Sequence, residues 1–173
     1  KQVRPLLVLL FAKMYSSENL TEKSYRSAII SELIHSATLI HDDIVDDSSL
    51  RRGFLSLNAL WNNKISVLVG DYLLSKSLLL CIDNEDFDLL KIISTAVKEM
   101  SEGELLQIQK SRNINISEDE YFELTLKKTA SLFSACCKLG LASTGLKNLN
   151  NVEEFGQNLG LIFQIKDDLF DYS

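Results

Sequence analysis

Glycine and proline are scarce in this chain of 173 residues, which contains seven Gly and a single Pro. Their scarcity argues against turn-dense β architectures, collagen-like repeats and disordered linkers. Charged residues interrupt each apolar run before it reaches the roughly 18 residues of a membrane-spanning helix, so we expect no membrane span. The three cysteines have no CxxC spacing, which indicates neither a disulfide framework nor a zinc site. A reducing, cytoplasmic location fits this composition best.

Negative charge predominates, and it is unevenly placed along the chain. The formal net charge is −6, which argues against nonspecific nucleic-acid binding, since phosphate backbones attract clustered Lys and Arg. Seven of the twelve aspartates fall in two short segments. They are Asp42, Asp43, Asp46 and Asp47, and then Asp167, Asp168 and Asp171.

Apolar residues recur at intervals of three and four almost throughout, which predicts an all-α fold. Thr21 is a candidate helix cap, and Ser117 with Glu120 matches a capping box. Asp83 or Asn84 is expected to start a helix, and Asn150 with Glu153 to cap the last one. We find no linker, so residues 1–173 are predicted to form a single domain. The predicted helices cover 5–15, 22–46, 64–81, 83–109, 117–144 and 155–172, with a break at 48–53 and a short helical piece around Trp61.

Both aspartate clusters have the spacing DDxxD, which places the first and last carboxylates one turn apart on a helix. Like charges at this spacing weaken a helix, so the arrangement is favourable only when a cation compensates them. Carboxylates without His or Cys suit Mg²⁺, with Mn²⁺ as a substitute, and Mg²⁺ commonly shares its ligand shell with substrate phosphates. An isolated DDxxD can equally be a solvated helix face, but apolar residues flank both clusters here. The segment lacks the alternating ligands and central Gly of an EF-hand.

An arginine pair, Arg51 and Arg52, follows the first cluster directly and precedes Gly53. Guanidinium groups can bind phosphate oxygens in a bidentate manner. Alone, such a pair is usually surface charge, but its position next to the aspartates indicates a diphosphate site.

With these motifs the sequence resembles the trans-isoprenyl diphosphate synthases, which elongate polyprenyl chains head to tail. The resemblance covers nearly the whole chain. It comprises KQVRP at 1–5, His35, HDDIVDDSSLRRG at 41–53, GDYLL at 70–74, GELLQ at 103–107, KTA at 128–130 and FGQNLGLIFQIKDDLFDY at 155–172. It implies an isoprenoid synthase-type bundle of long helices around a central cavity, with the aspartate motifs facing each other across its mouth. It also implies a homodimer.

The resemblance assigns roles to individual residues. Asp42, Asp43, Asp46, Asp167, Asp168 and Asp171 are expected to bind Mg²⁺ on the allylic diphosphate, which Arg51, Lys128 and Gln164 would also contact. Isopentenyl diphosphate is assigned to Lys1, Arg4, His35 and Arg52, and Thr129 to the reaction centre beside Lys128. Without the motif, His35 would be interpreted as a core histidine. The Gly that precedes Lys1 in the family is missing, and Leu55 replaces the usual Pro after the arginine pair.

Product length is predicted from the residues one turn before the first motif, which in this family line the tunnel for the growing chain. Ala37 and Thr38 are small, which predicts a medium- or long-chain product, although small residues can also reflect tight helix packing. Family members continue beyond the second DDxxD with further helices. We therefore expect this chain to be a fragment that lacks the N-terminal start and the C-terminal helices.

Two other functions are compatible with parts of the pattern. A class I terpene cyclase uses the same metal-triggered ionisation but normally lacks the second DDxxD and the residues assigned to isopentenyl diphosphate. A non-catalytic subunit of a heteromeric prenyl synthase would keep the helical fold, but such subunits tend to lose residues of the aspartate motifs.

Overall fold

A computed structural model describes residues 2–16, 19–46, 50–51, 54–56, 59–60, 62–110, 116–146 and 151–171. The α-helices in these ranges are α1 (Val3–Tyr15), α2 (Glu22–Val45), α3 (Asn63–Ile82), α4 (Phe87–Lys110), α5 (Glu118–Thr125), α6 (Ser131–Ala142) and α7 (Val152–Asp171). Two short strands, β1 (Leu50–Arg51) and β2 (Phe54–Leu55), pair antiparallel with Leu50 opposite Leu55. This hairpin occupies the predicted break after α2. The all-α prediction is confirmed, with the hairpin as a minor addition.

Helix starts agree with the sequence where a side chain caps the backbone. The Thr21 hydroxyl accepts from Ser24 N, and Ser117 forms a complete capping box with Glu120. The start expected at Asp83 or Asn84 is wrong, because Asp83 is the C-terminal cap of α3 and the next helix begins at Phe87. The predicted cap Asn150 and the residue Trp61 lie outside the described residues.

Asp86, just before α4, explains why that helix begins late. Its carboxylate is buried and accepts two hydrogen bonds from Arg26, at 2.7 and 2.8 Å, and lies 3.3 Å from Lys23 Nζ. These contacts fix the turn between α3 and α4 against the start of α2. A charge that is paired and hydrogen-bonded in this way can be buried at acceptable cost.

The predicted helix 117–144 is interrupted in the middle. A π-helical turn, Leu126–Ala130, joins α5 to α6 and inserts one extra residue into the helical ladder. It contains Lys128 and Thr129, two of the predicted site residues. Such turns often occur at functional sites because they change the direction of side chains without breaking the helix.

The central helix is α6, which is buried along nearly its whole length. It packs against α1, α2, α4 and α7. Its Phe133 and Leu132 are among the largest fully buried side chains. Its Cys136 and Cys137 are free and buried, as is Cys81 on α3. A largely apolar helix that is buried on nearly every side fits only in the middle of a bundle. The bundle is therefore organised around α6, with the site residues on the helices that surround it.

Glycines let α7 approach the middle of the bundle closely. A Cβ atom on Gly160 would lie 2.5 Å from the Cα of Ala130, and one on Gly156 would lie 2.4 Å from the Cα of Ser134. Both distances are too short for real side-chain contacts, so only glycine permits this spacing. The approach holds the second aspartate motif beside the π-helical turn.

Helix α3 carries an exposed apolar surface. Only 22% of an 18-residue window in Asn63–Ile82 is buried within this chain, and its mean hydropathy is 1.7. By length and composition alone this helix could cross a membrane, so the expectation that charges exclude every candidate span is not met here. The core helix of a non-membrane protein passes the same test. Its exposed apolar side chains include Val67, Leu68, Tyr72 and Leu79.

Candidate active site

The first aspartate motif lies in the last turn of α2. Asp43 is buried, Asp42 is half-buried, and Asp46 is the exposed C-terminal cap, whose N–H donates to the Asp42 carbonyl over 2.8 Å. The last turn of α2 contains no basic residue. Because a helix C-terminus already carries partial negative charge, these carboxylates concentrate negative potential at this end. The described residues do not include Lys1, Asp47 or Arg52. The side chains of Arg51 and Asp171 are likewise outside the description.

A cavity of about 430 Å³ brings most of the predicted site residues together. Its walls come from α1, α2, α4, the π-helical turn, α6 and α7. Eight of its lining residues were predicted from the sequence: Arg4, His35, Thr38, Asp42, Lys128, Thr129, Gln164 and Asp167. Leu39, Met100, Leu132 and Phe163 complete it with apolar surface. The carboxylates of Asp42 on α2 and Asp167 on α7 therefore share one cavity, as the two motifs were expected to do.

Arg4 and His35 form a pair in this cavity. Arg4 Nη1 donates to His35 Nε2 over 2.8 Å, and the guanidinium lies 5.0 Å from the centre of the Phe133 ring. Stacking on an aromatic ring and a hydrogen bond hold the guanidinium in one orientation. His35 therefore lies at the cavity wall as a hydrogen-bond partner of Arg4, and its role in binding isopentenyl diphosphate stays a prediction.

Lys128 lies on the π-helical turn, and its ammonium group contacts two side chains of α4. Its Nζ is 2.6 Å from Glu104 Oε2 and donates to Gln107 Oε1 over 2.9 Å. Gly103 makes this contact possible, because a Cβ there would lie 2.9 Å from the Lys128 backbone nitrogen. Glu104 and Gln107 belong to the GELLQ segment of the resemblance, which assigned no role to either side chain.

A second set of hydrogen bonds orients the other motif. Thr129 Oγ1 donates to Gln164 Oε1 over 3.0 Å, and Gln164 Nε2 donates to Asp168 Oδ1 over 2.8 Å. Tyr121 donates its hydroxyl to the other oxygen, Asp168 Oδ2, over 2.5 Å. Burial, and then this hydrogen bond, raise the pKa of Tyr121. Both oxygens of Asp168 are thus bound by neutral donors.

Adjacent aspartates of the second motif therefore face different spaces. Asp167 lines the 430 Å³ cavity, whereas Asp168 lines an adjoining cavity of about 260 Å³ with Tyr121 and Gln107. The two cavities share Lys128, Thr129 and Gln164. Successive residues on a helix diverge by about 100°, which accounts for the separation. The structure thus gives Asp167 and Asp168 different surroundings, although the motif assigned them the same role.

A third cavity, of about 360 Å³, adjoins the first between α2 and α4. The two cavities share Thr38, Asp42, Met100 and Lys128. The surface of this cavity is mostly apolar and includes Val45, Leu105 and Ile108, although His41, Ser101 and Glu104 also line it. Thr38, one of the two predicted tunnel residues, thus lies where the polar site meets apolar space. Ala37 is buried, with 3% of its surface exposed, and it lines neither cavity.

His41, next to the first motif, is held by helix α3. Its Nε2 lies 3.3 Å from Asp71 Oδ1, and a Cβ on Gly70 would lie only 2.2 Å from the same nitrogen. The GDYLL segment thus provides the space and the acceptor for His41. His41 itself had no predicted role.

The donor set of the first cavity fits a hard divalent cation. Its acidic ligands, Asp42 and Asp167, offer only carboxylate oxygens, which Mg²⁺ and Ca²⁺ prefer. Glu104 does not belong to this donor set, because it lines the adjoining cavity between α2 and α4 and is paired with Lys128. Across the part of the chain that the structure describes, no three acidic, His or Cys side chains come close enough to enclose a metal ion. The site therefore suits an ion that keeps part of its shell for water or phosphate oxygens.

Sequence reasoning missed the residues that hold the others in place. Glu104 and Gln107 are three residues apart, a spacing that puts them on one helix face, so the signal was present in GELLQ. Tyr121 had no local signal, because its partner Asp168 lies 47 residues further along the chain.

Comparisons with known proteins identify a family model and relatives that match this chain. The family model of polyprenyl synthetases matches residues 1–173. Decaprenyl-diphosphate synthase of Dictyostelium discoideum is 41% identical over the whole of this chain and 38% of its own length. All-trans-nonaprenyl-diphosphate synthase (geranyl-diphosphate specific) of Rhodobacter capsulatus is 39% identical over the whole chain and 53% of its own length. The chain thus spans about half, or less, of the length of these relatives.

A solved structure has the same fold. Polyprenyl synthase from Caulobacter crescentus, complexed with calcium and isoprenyl diphosphate, superposes with a TM-score of 0.92 and 36% identity. The match covers 99% of this chain and 52% of that one. The predicted isoprenoid synthase-type bundle is therefore confirmed.

The two aspartates of the second motif are expected to respond differently to neutralisation. Asp167→Asn should weaken Mn²⁺ binding in the presence of inorganic pyrophosphate more than tenfold, because it removes a carboxylate from the shared cavity. Asp168→Asn should weaken it only a few-fold, because the Asp168 oxygens are bound by Tyr121 and Gln164. Titration of Mn²⁺ followed by electron paramagnetic resonance measures both affinities. Equal losses in the two variants would contradict the separation of their environments.

Proposed function

Because the chain belongs to the polyprenyl synthetase family, we propose that it forms part of a trans-polyprenyl diphosphate synthase. This enzyme would condense isopentenyl diphosphate with an allylic diphosphate to give a medium- or long-chain product. The observation that carries the proposal is the single cavity that Asp42 and Asp167 line together with Lys128, Arg4 and His35. The chain is about half the length of its relatives, so the activity is proposed for the full-length protein.

The allylic diphosphate would bind between the two aspartate motifs. Asp42 and Asp167 would hold Mg²⁺, with the motifs' other aspartates as further ligands, directly or through water. Mg²⁺ supplies positive charge that stabilises the departing diphosphate as the allylic C–O bond breaks. Lys128 would donate a charge-assisted hydrogen bond to the same group, and Gln164, held by Thr129, would donate a neutral one. Arg51 remains a predicted contact.

Isopentenyl diphosphate would bind on the α1 side of the cavity. Arg4 is held against Phe133 and His35, which fixes the orientation of its guanidinium at the cavity wall where the diphosphate would bind. Lys1 and Arg52 stay predictions for this subsite. Separate cationic groups for the two substrates are what a condensation of two diphosphates requires.

The reaction would begin with loss of diphosphate from the allylic substrate, which leaves a carbocation. The isopentenyl double bond attacks this cation and forms the new C–C bond, and the released diphosphate takes the proton that the adduct loses. Leu132, Met100 and Phe163 line the cavity with apolar surface that keeps water from the cation. Thr129, beside Lys128, would lie next to the reaction centre.

Neither alternative function gains support from the relatives, whose printed names are those of prenyl synthases. A terpene cyclase has no need for the Arg4–His35 pair, which would bind a second diphosphate. A non-catalytic subunit would not retain carboxylates from both motifs in one cavity with Lys128.

Product length would be set where the polar cavity meets the apolar one. Thr38 lines both cavities, and the apolar walls of α4 beyond it offer space for a growing prenyl chain. Ala37 is buried beside Thr38 on α2, so a larger side chain there would act by displacing the helix rather than by filling the cavity.

The location of the protein is proposed to be cytoplasmic. The three cysteines are free, and burial raises the pKa of Cys136 and Cys137 to about 12 and that of Cys81 to about 11. Unpaired buried thiols are typical of a reducing compartment.

The full-length protein is expected to elongate allylic primers with labelled isopentenyl diphosphate only when Mg²⁺ is present. Chromatography of the dephosphorylated products measures their length, and we expect products longer than three isoprene units. Short products would leave the reaction class intact but overturn the proposed length. No incorporation with any primer would favour a non-catalytic subunit.

Thr38→Phe should shift the products to shorter chains, because an aromatic ring at this position would block the passage between the two cavities. Ala37→Phe should have the same direction of effect with a larger loss of stability, since Ala37 is buried. Ile29→Phe, an exposed position on the same helix, is the matched control and should leave the product distribution unchanged. An unchanged distribution in Thr38→Phe would rule out this passage as the tunnel.

We also propose that the protein is a homodimer that buries the exposed apolar face of α3. Leu68 and Tyr72, which are 67% and 65% exposed, represent this face. Large contiguous apolar surfaces are uncommon on monomers and mark interaction sites. Analytical ultracentrifugation should give twice the protomer mass for the full-length protein, and Leu68→Glu should shift it toward the monomer. A monomeric wild type would contradict this assembly.

A further inference from the structure

Lys128 is held on the cavity wall by two residues of the GELLQ segment, Glu104 and Gln107. Its Nζ lies 2.6 Å from Glu104 Oε2 and donates to Gln107 Oε1 over 2.9 Å. The two acceptors are three residues apart on α4, so they project from one face of the helix. All three side chains line cavities around the site.

The backbone geometry makes these contacts possible. A Cβ on Gly103 would lie 2.9 Å from the Lys128 nitrogen and 3.0 Å from Lys127 Cβ, so α4 and the π-helical turn approach each other closely. The π-helical turn adds a residue just where Lys128 must reach both α4 and the cavity. The glycine, the π-helical turn and the acceptor pair act together on one ammonium group.

Lys128 keeps one donor for a ligand, whereas Glu104 depends on Lys128 for the compensation of its charge. An ammonium group has three N–H donors, and two are directed to Glu104 and Gln107, which leaves one for a phosphate oxygen. The side chain of Glu104 is 15% exposed, and no donor among the described residues reaches its buried Oε1. The negative charge of Glu104 is therefore offset mainly by Lys128. In such a poorly solvated setting, charges interact more strongly than they do in water.

We propose that Glu104 is a positioning residue that fixes the Lys128 ammonium and weakens its attraction for the diphosphate. This inference rests on the proposed function, in which Lys128 contacts the leaving diphosphate. Tight binding of the released diphosphate would not speed the chemical step and would slow product release. Glu104 lets one oriented N–H of Lys128 assist departure while it limits retention of the product.

The test compares the binding of inorganic pyrophosphate, with Mg²⁺, to the full-length protein and its Glu104→Gln variant by isothermal titration calorimetry. Glutamine keeps the length of the side chain and an acceptor for Lys128, and it removes only the charge. We expect the dissociation constant to fall about three- to tenfold, the scale of one weak ion pair. If Glu104 only supported the local structure, the dissociation constant would instead rise, because a loosened site binds pyrophosphate less well.

Glu102→Gln is the matched control. It makes the same change in net charge two residues away on α4, but Glu102 is 44% exposed as a side chain and lies 3.6 Å from Lys127 rather than beside Lys128. Lys127 lines none of the three cavities described above. The pyrophosphate affinity of this variant should equal that of the wild type.

A double-variant cycle with Lys128→Met isolates the contact. In the Lys128→Met background, Glu104→Gln should no longer tighten pyrophosphate binding, because the charge that it releases is absent. Unchanged or weaker binding in the single variant Glu104→Gln, or equal tightening in both backgrounds, would overturn the proposal. A wild type that binds no pyrophosphate would overturn the proposed function itself, and the role of Glu104 with it.

Discussion

The close approach of α7 to the π-helical turn is the constraint on which the site depends. Gly160 and Ala130 meet with no room for a side chain on the glycine, and this contact fixes α7 beside Lys128 and Thr129. It also places Asp167 in the cavity that Asp42 lines. Interiors are close-packed, so a displacement of α7 at this point would move the whole second motif. Glycines therefore stand where α7 packs against the π-helical turn and α6, next to the predicted site residues.

Layers of support surround the groups that would meet substrate. Lys128 has Glu104 and Gln107, Arg4 has His35 and Phe133, and Gln164 has Thr129. Each arrangement holds a donor in one orientation before a ligand arrives. Groups oriented in advance need little reorganisation as charge develops on a leaving group. The supporting residues come from helices far apart in sequence, so the bundle itself is what orients the site.

Sequence reasoning predicted the parts of this structure that depend on local patterns. The helical period and the caps at Thr21 and Ser117 predicted where helices run and begin, because each depends on neighbours a few residues away. The DDxxD spacing and the resemblance predicted that Asp42 and Asp167 would meet. The π-helical turn was not predicted, since its residues also suit an ordinary helix. Asp167 and Asp168 point in different directions because successive residues on a helix are rotated by about 100°. The motif assigned both of them to metal binding and so did not predict this difference.

Both aspartate motifs end helices whose last turns contain no basic residue. Most helices balance their negative C-terminal end with Lys or Arg, whereas α2 and α7 add carboxylates to it. The added carboxylates destabilise the C-terminal end of each helix. A cation bound between the two ends would compensate their charge and restore that stability. By mass action, an ion that binds only the native state raises native stability in proportion to the logarithm of its excess over the dissociation constant. A divalent cation bound between the two motifs would thus also be a folding ligand, and its supply would govern how firmly the two halves of the cavity are held together.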